Sequence, residues 1–136
     1  MHQSFFKADL ETRGERKVAK DAEREKAWRI CCKAVDARDR RMCRCCGKKT
    51  NPDDIGLIRG HRHHLVYRSA GGEDTAQNVL TLCWGHHNAE HKGRLQIVVL
   101  DASRGADGPC EFWIKGDDGE LFLSKRELGV HQAEKD

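Results

Sequence analysis

The sequence predicts a small α+β domain, and three observations predict it. Residues 15–38 contain neither proline nor glycine and are dominated by good helix formers, so a long helix belongs near the N-terminus. Short runs rich in strand formers follow at residues 78–82 and 96–100. Towards the C-terminus, residues 111–114 and 121–123 flank Gly116-Asp117-Asp118-Gly119, the signature of a β-hairpin. A chain of 136 residues is one domain with a modest core. Charged residues make up 35% and aromatics 6%, so that core is lean and metal ligation is expected to supplement it.

Taken in order, residues 1–14 read as a loosely docked lead, with Phe5 and Phe6 set against the core. In the helix that follows, Trp28, Cys31 and Val35, flanked by Ala27 and Ala34, form a narrow apolar stripe. The charged run at residues 23–26 belongs to its wet face. This helix is expected to pack on the cysteine-rich segment after it, either as a brace or as a carrier of basic residues. Cys31 and Cys32 read as small hydrophobes. Residues 48–54 form a loop, and a strand ends at the pair His63-His64. Residues 67–77 form a polar, glycine-containing loop, and the second strand is 78–82. A short helix from His86 is ended by Gly93, and residues 96–123 supply a further strand and the hairpin. Core completion is the plainest role for that ribbon. His2 and His131 fall in tails.

Two groups of residues carry chemistry. Cys43-x-x-Cys46-Gly47 lets two sulfurs converge on one ion, the glycine permitting a left-handed turn. A lone CxxC serves equally well as a redox motif. Cys83-x-x-His86 is a second pair of the same spacing, and together the four make a closed Cys3His set suited to structural zinc. Cys45 competes with Cys46, but adjacent residues on one tetrahedral centre are strained. His87 and His91 lie four apart, so on a helix their imidazoles share a face about 6 Å apart at Cβ, within reach of one metal ion. His63 and His64, adjacent in a strand, point to opposite faces and so hold different jobs. His61, two residues before His63, shares its face as a supporting group or alternate ligand.

The stretch from His63 to His91 resembles the ββα-metal motif of HNH endonucleases. The motif letters fall on His64, Asn78 and His87, with His63 and His91 at the accessory metal positions. Gly71-Gly72, Asn78-Val79-Leu80 and Leu82-Cys83 fit the pattern, and the upstream cysteines resemble that family's zinc knuckle. The resemblance covers residues 28–95, with knuckle and ββα core at 43–93. It implies a metal-dependent DNA endonuclease in which His64 activates water and His63, His87 and His91 hold one divalent ion. Asn78 would orient His64 by fixing its loop. The family's second knuckle pair is normally CxxC, and it often has an aspartate where His63 stands. Three imidazoles favour Zn2+, Ni2+, Co2+ or Mn2+, while phosphate and water oxygens leave Mg2+ open.

The net charge of +3 is mild, but residues 38–68 hold nine Lys/Arg against three Asp/Glu. Such a patch suits a phosphate backbone, with Arg62 and Arg68 the first candidates to grip it. No apolar run approaches the ~20 residues of a membrane span, so no membrane partner is expected. The charged N-terminus does not read as a signal peptide. Seven cysteines, an odd number, suggest reduced thiols and a cytoplasmic setting in a bacterial or phage-infected cell. The rival reading is a zinc-stabilised nucleic-acid-binding module without catalysis; it has no use for an open three-histidine site. A redox or metal-sensing protein, the third reading, leaves Asn78 and the glycine pair unexplained.

Overall fold

A computed structural model describes residues 12–51 and 60–128. Helix α1 spans Arg13–Asp39 and starts earlier than expected, because the Thr12 side chain accepts a hydrogen bond from the Glu15 amide at 3.1 Å. Gly14 therefore sits inside the first turn rather than in the lead. Phe5, Phe6, His2 and His131, and residues 52–54 of the loop expected at 48–54, lie outside the described residues.

Strand β1, Gly60–His64, pairs antiparallel with β2, Val79–Cys83, placing His63 opposite Leu80 and His64 opposite Val79. All five residues of β2 are buried. Helix α2, Trp84–His91, starts directly after Cys83. Strands β3 (Leu95–Val99), β4 (Cys110–Lys115) and β5 (Leu121–Arg126) form a second antiparallel sheet in that order. The C-terminal ribbon is thus a three-stranded sheet, and the Gly116–Gly119 turn closes its β4–β5 hairpin. The architecture is α+β, with the β1–β2–α2 unit between the long helix and this sheet.

Leu80, Leu82 and Phe112 are fully buried together with Cys43, Cys83, Leu95 and Cys110, so β4 does complete the core. Burying each such large side chain contributes roughly 1.5–3 kcal/mol. Helix α1 seats elsewhere than on the knuckle. Cys31 and Val35 pack on Val79, with Trp28 and Ala76 at the margin, so the helix rests on the start of β2. Ala27 and Ala34 are exposed. They fall on the far edge of the stripe, and two small side chains offer too little surface to pull it round.

The helix reaches the knuckle through charge instead. Buried Asp39 accepts from Arg38 Nε at 2.7 Å, from Arg44 Nη1 at 3.3 Å and from the Thr81 amide at 2.9 Å. Arg44, inside the knuckle, donates through Nε and Nη2 to Glu127 at 2.7 Å each. It also donates to the carbonyls of Ala106 and Gly108. Helix, knuckle, β2 and the segment after β5 meet at this cluster.

Candidate metal centres and active site

After α1 the backbone turns through Arg40 (φ 55°) and Arg41 (φ 60°), two non-glycine residues in the left-handed region, and so enters the knuckle. There Cys43 N donates to Lys48 O at 2.9 Å and Gly47 N to Cys43 O at 2.7 Å, with Gly47 at φ 75° as the tight turn requires. The knuckle and the start of α2 bring one atom each of Cys43, Cys46, Cys83 and His86 within 4.8 Å of one another. His86 Nδ1 lies 3.2 Å from Cys83 Sγ and 3.7 Å from Cys43 Sγ, and Cys46 Sγ lies 4.0 Å from Cys83 Sγ. Cys45, also buried, is outside this four-atom group.

Within the group, His86 and Cys43 are drawn towards their charged forms, while burial pushes the Cys46 thiol up. Hydrogen bonding to Cys43, then to Cys45, draws the His86 imidazole up to about 12. Burial opposes ionisation of Cys43, yet the His86 bond and backbone N–H groups bring its thiol down to about 6. A proton on His86 and a negative sulfur thus fill the roles that a metal and its thiolates would take. The four residues could hold a metal ion such as zinc, in the closed arrangement of a structural site.

A second group stands on the other side of α2. One ring nitrogen each of His63, His87 and His91 lies within 4.8 Å of the others. The His87 and His91 rings are 4.5 Å apart, and His63 lies 5.3 and 5.7 Å from them, edge-on to both. Burial, then the neighbouring histidines, holds His63 and His87 down at about 4, so both rings are neutral near pH 7. For His63 that burial prevails although the Glu90 carboxylate is 3.3 Å from Nε2. The Tyr67 hydroxyl donates to both Glu90 oxygens, fixing the carboxylate that orients His63. His87 Nδ1 is buried with no hydrogen-bond partner among the described residues, as a nitrogen awaiting a ligand would be. Neutral nitrogens and an orphaned acceptor fit a bound divalent cation. His61 stacks flat on His87 at 4.3 Å and stays out of the three-nitrogen group.

His64 takes the opposite face of β1. Its ring stacks on Trp28 at 5.3 Å and its Nε2 lies 2.8 Å from Asp74 Oδ1. Arg68 clamps the same carboxylate through Nε and Nη2 at 2.9 and 3.0 Å, and its guanidinium lies 4.6 Å over Trp28. Burial tends to raise the Asp74 carboxyl, but Arg68 and His64 outweigh it and keep it ionised. Asn78 closes the loop between the strands: Oδ1 accepts from Val66 N at 2.9 Å, and Nδ2 donates to Val66 O and Glu73 O. A Cβ at Gly72 would stand 1.7 Å from Val66 O, so only glycine fits there.

The two arginines expected at phosphates have carboxylate partners. Arg62 donates to Asp36 of α1 at 2.6 and 3.1 Å, and Arg68 is engaged by Asp74. Both still line a cleft of about 290 Å³ together with His63, His64, His87 and His91. Asp74, Glu90 and Trp28 were not picked out for this site from the sequence. Asp74 and Glu90 read there as ordinary polar residues, and Trp28 as core.

The fold and site define a small α+β protein with two groups of residues able to hold a metal. Comparison with known proteins adds one partial likeness. A stretch of 41 residues, 30% of this chain, is 42% identical to Anaredoxin of Nostoc sp. and spans 54% of that protein. The chain thus covers about half the length of that relative. No family model matches the chain, and no solved structure does. Among the described residues no helix is long and apolar enough to cross a membrane.

Proposed function

We propose that this protein is a metal-dependent DNA endonuclease hydrolysing phosphodiester bonds. The observation that carries the reading is a juxtaposition. Three histidines able to share an ion, His63 of β1 with His87 and His91 of α2, border one cleft with His64, which a carboxylate holds on the opposite face of β1. It agrees with the motif resemblance at His64, Asn78 and His87.

His63, His87 and His91 would hold the catalytic ion, which supplies Lewis-acid neutralisation of phosphate charge and stabilises the leaving oxygen. His64 does the proton work. An ionised carboxylate only accepts, so Asp74 fixes the ring proton on Nε2 and leaves Nδ1 as the basic nitrogen. Among the described residues no group bonds to that Nδ1, which can take a proton from water attacking the phosphate. Asn78 keeps the loop carrying Asp74 closed against β1. Cys43, Cys46, Cys83 and His86 would hold structural zinc in a reducing, cytoplasmic setting, in keeping with seven cysteines of which none is in a disulfide.

The test is single-turnover cleavage of supercoiled plasmid across Mg2+, Mn2+, Zn2+, Ni2+ and Co2+, beside DNA affinity, for wild type and His64→Ala. Wild type should cut and the variant should bind equally yet cut ~10²–10⁴-fold more slowly. Binding without cleavage under every metal would leave the non-catalytic module.

A further inference from the structure

Every residue from 13 to 27 is exposed, so the first half of α1 projects beyond the body without packing on it. At about 1.5 Å per residue this arm reaches about 22 Å from Trp28 to Arg13. Its charges are sorted. At about 100° per residue, Arg13, Lys17, Lys20 and Arg24 fall within about 60° of one another, and no acid of the helix falls inside that arc. Among the described residues none of these four cations makes an ion pair; the pair Glu25–Arg29 lies on the back. The row runs straight on into Trp28, Cys31 and Val35, the face that meets the body. Trp28 touches both His64 and Arg68, so the cationic row ends at the cleft.

We propose that this arm is a DNA-docking surface that lies along the duplex beside the cleaved bond, with Arg13, Lys17, Lys20 and Arg24 on its phosphates. The inference rests on the nuclease reading. Charge complementarity selects the occupant: a duplex presents one negative charge per about 1.7 Å, so a 22 Å arm faces about 13 of them. An apolar partner finds no apolar row on this face and would leave the four cations desolvated and unpaired.

Two double variants of equal charge separate local contact from general attraction: Lys17→Gln/Lys20→Gln on the row and Lys26→Gln/Arg29→Gln on the back. Glutamine keeps helix propensity, and circular dichroism checks that the arm persists. Binding of a labelled duplex of about 30 base pairs, about 100 Å long, is measured against salt in a His64→Ala background. The row double should lower the slope of log K against log salt by about 1.8, and the single Lys20→Gln by about 0.9. The back double should leave it unchanged. Equal slopes for the two doubles, or a row double matching its parent, overturn the docking surface while leaving the nuclease reading standing. No duplex binding by the parent or wild type sinks the nuclease reading itself. Arm-dependent binding to phosphatidylserine vesicles but not to duplex overturns DNA as the occupant.

Discussion

Asp74 decides which nitrogen of His64 can act. With the carboxylate at 2.8 Å the proton is held on Nε2, and Nδ1 is left basic. Asp74→Asn keeps the shape but lets an amide N–H donate to Nε2, which favours the wrong tautomer. In the proposed enzyme, Asp74→Asn should therefore lose at least as much single-turnover rate as Asp74→Ala, on the order of 10²-fold or more. DNA affinity and the metal content of both variants should match wild type. Histidine ¹⁵N spectra should show the proton of His64 moving from Nε2 to Nδ1 in Asp74→Asn alone. An asparagine variant as fast as wild type would reduce Asp74 to a packing group. Nothing local in the sequence marks this aspartate, which stands ten residues from His64. Its identity depends on how the loop between β1 and β2 folds back, and that is settled by Asn78 and Gly72 together.

At the scale of elements, the legible features were those whose cause is local. Two-residue spacing located the knuckle pairs, the i, i+4 histidines located the metal face of α2, and Gly116–Gly119 located the hairpin. Docking between elements was less legible, because the residues that fasten them are charged and read as solvent-facing. Asp39 sits in a run of arginines and looks like surface, yet it is buried and binds β2 across 42 residues. Arg44 reaches Glu127 across 83. This cluster, not an apolar stripe, ties α1 and the knuckle to the segment after β5. Removing one partner from such a buried group strands its carboxylates, so Arg44→Met should cost about 3–5 kcal/mol in denaturant unfolding. Arg44→Met/Glu127→Gln should recover part of that loss. A loss below about 1 kcal/mol would mean the pair is screened as surface pairs are.

For the whole molecule, the two groups of residues able to hold a metal both draw on one eight-residue helix. Acid should expose that sharing. His63 and His87 bind protons at about 4 in the folded chain against 6.5 ordinarily, so the unfolded chain holds more protons between those values. Stability of the metal-free protein should therefore fall as pH drops from 6.5 to 4, measured by urea midpoints. His87→Phe should flatten part of that slope; an unchanged slope would place the neutral histidine elsewhere.

His86 and His87 are consecutive residues, yet one faces the cysteines and the other the histidines. A single peptide bond therefore joins the two candidate sites, and assembly acquires a direction. In a metal-loaded protein, an ion held by the cysteines and His86 would fix the rotation of α2 about its axis. That would present the nitrogens of His87 and His91 to His63 for a second ion. The chain would then be loaded as a sequence of events and not as two independent equilibria, the knuckle acting as the clock that starts the second site.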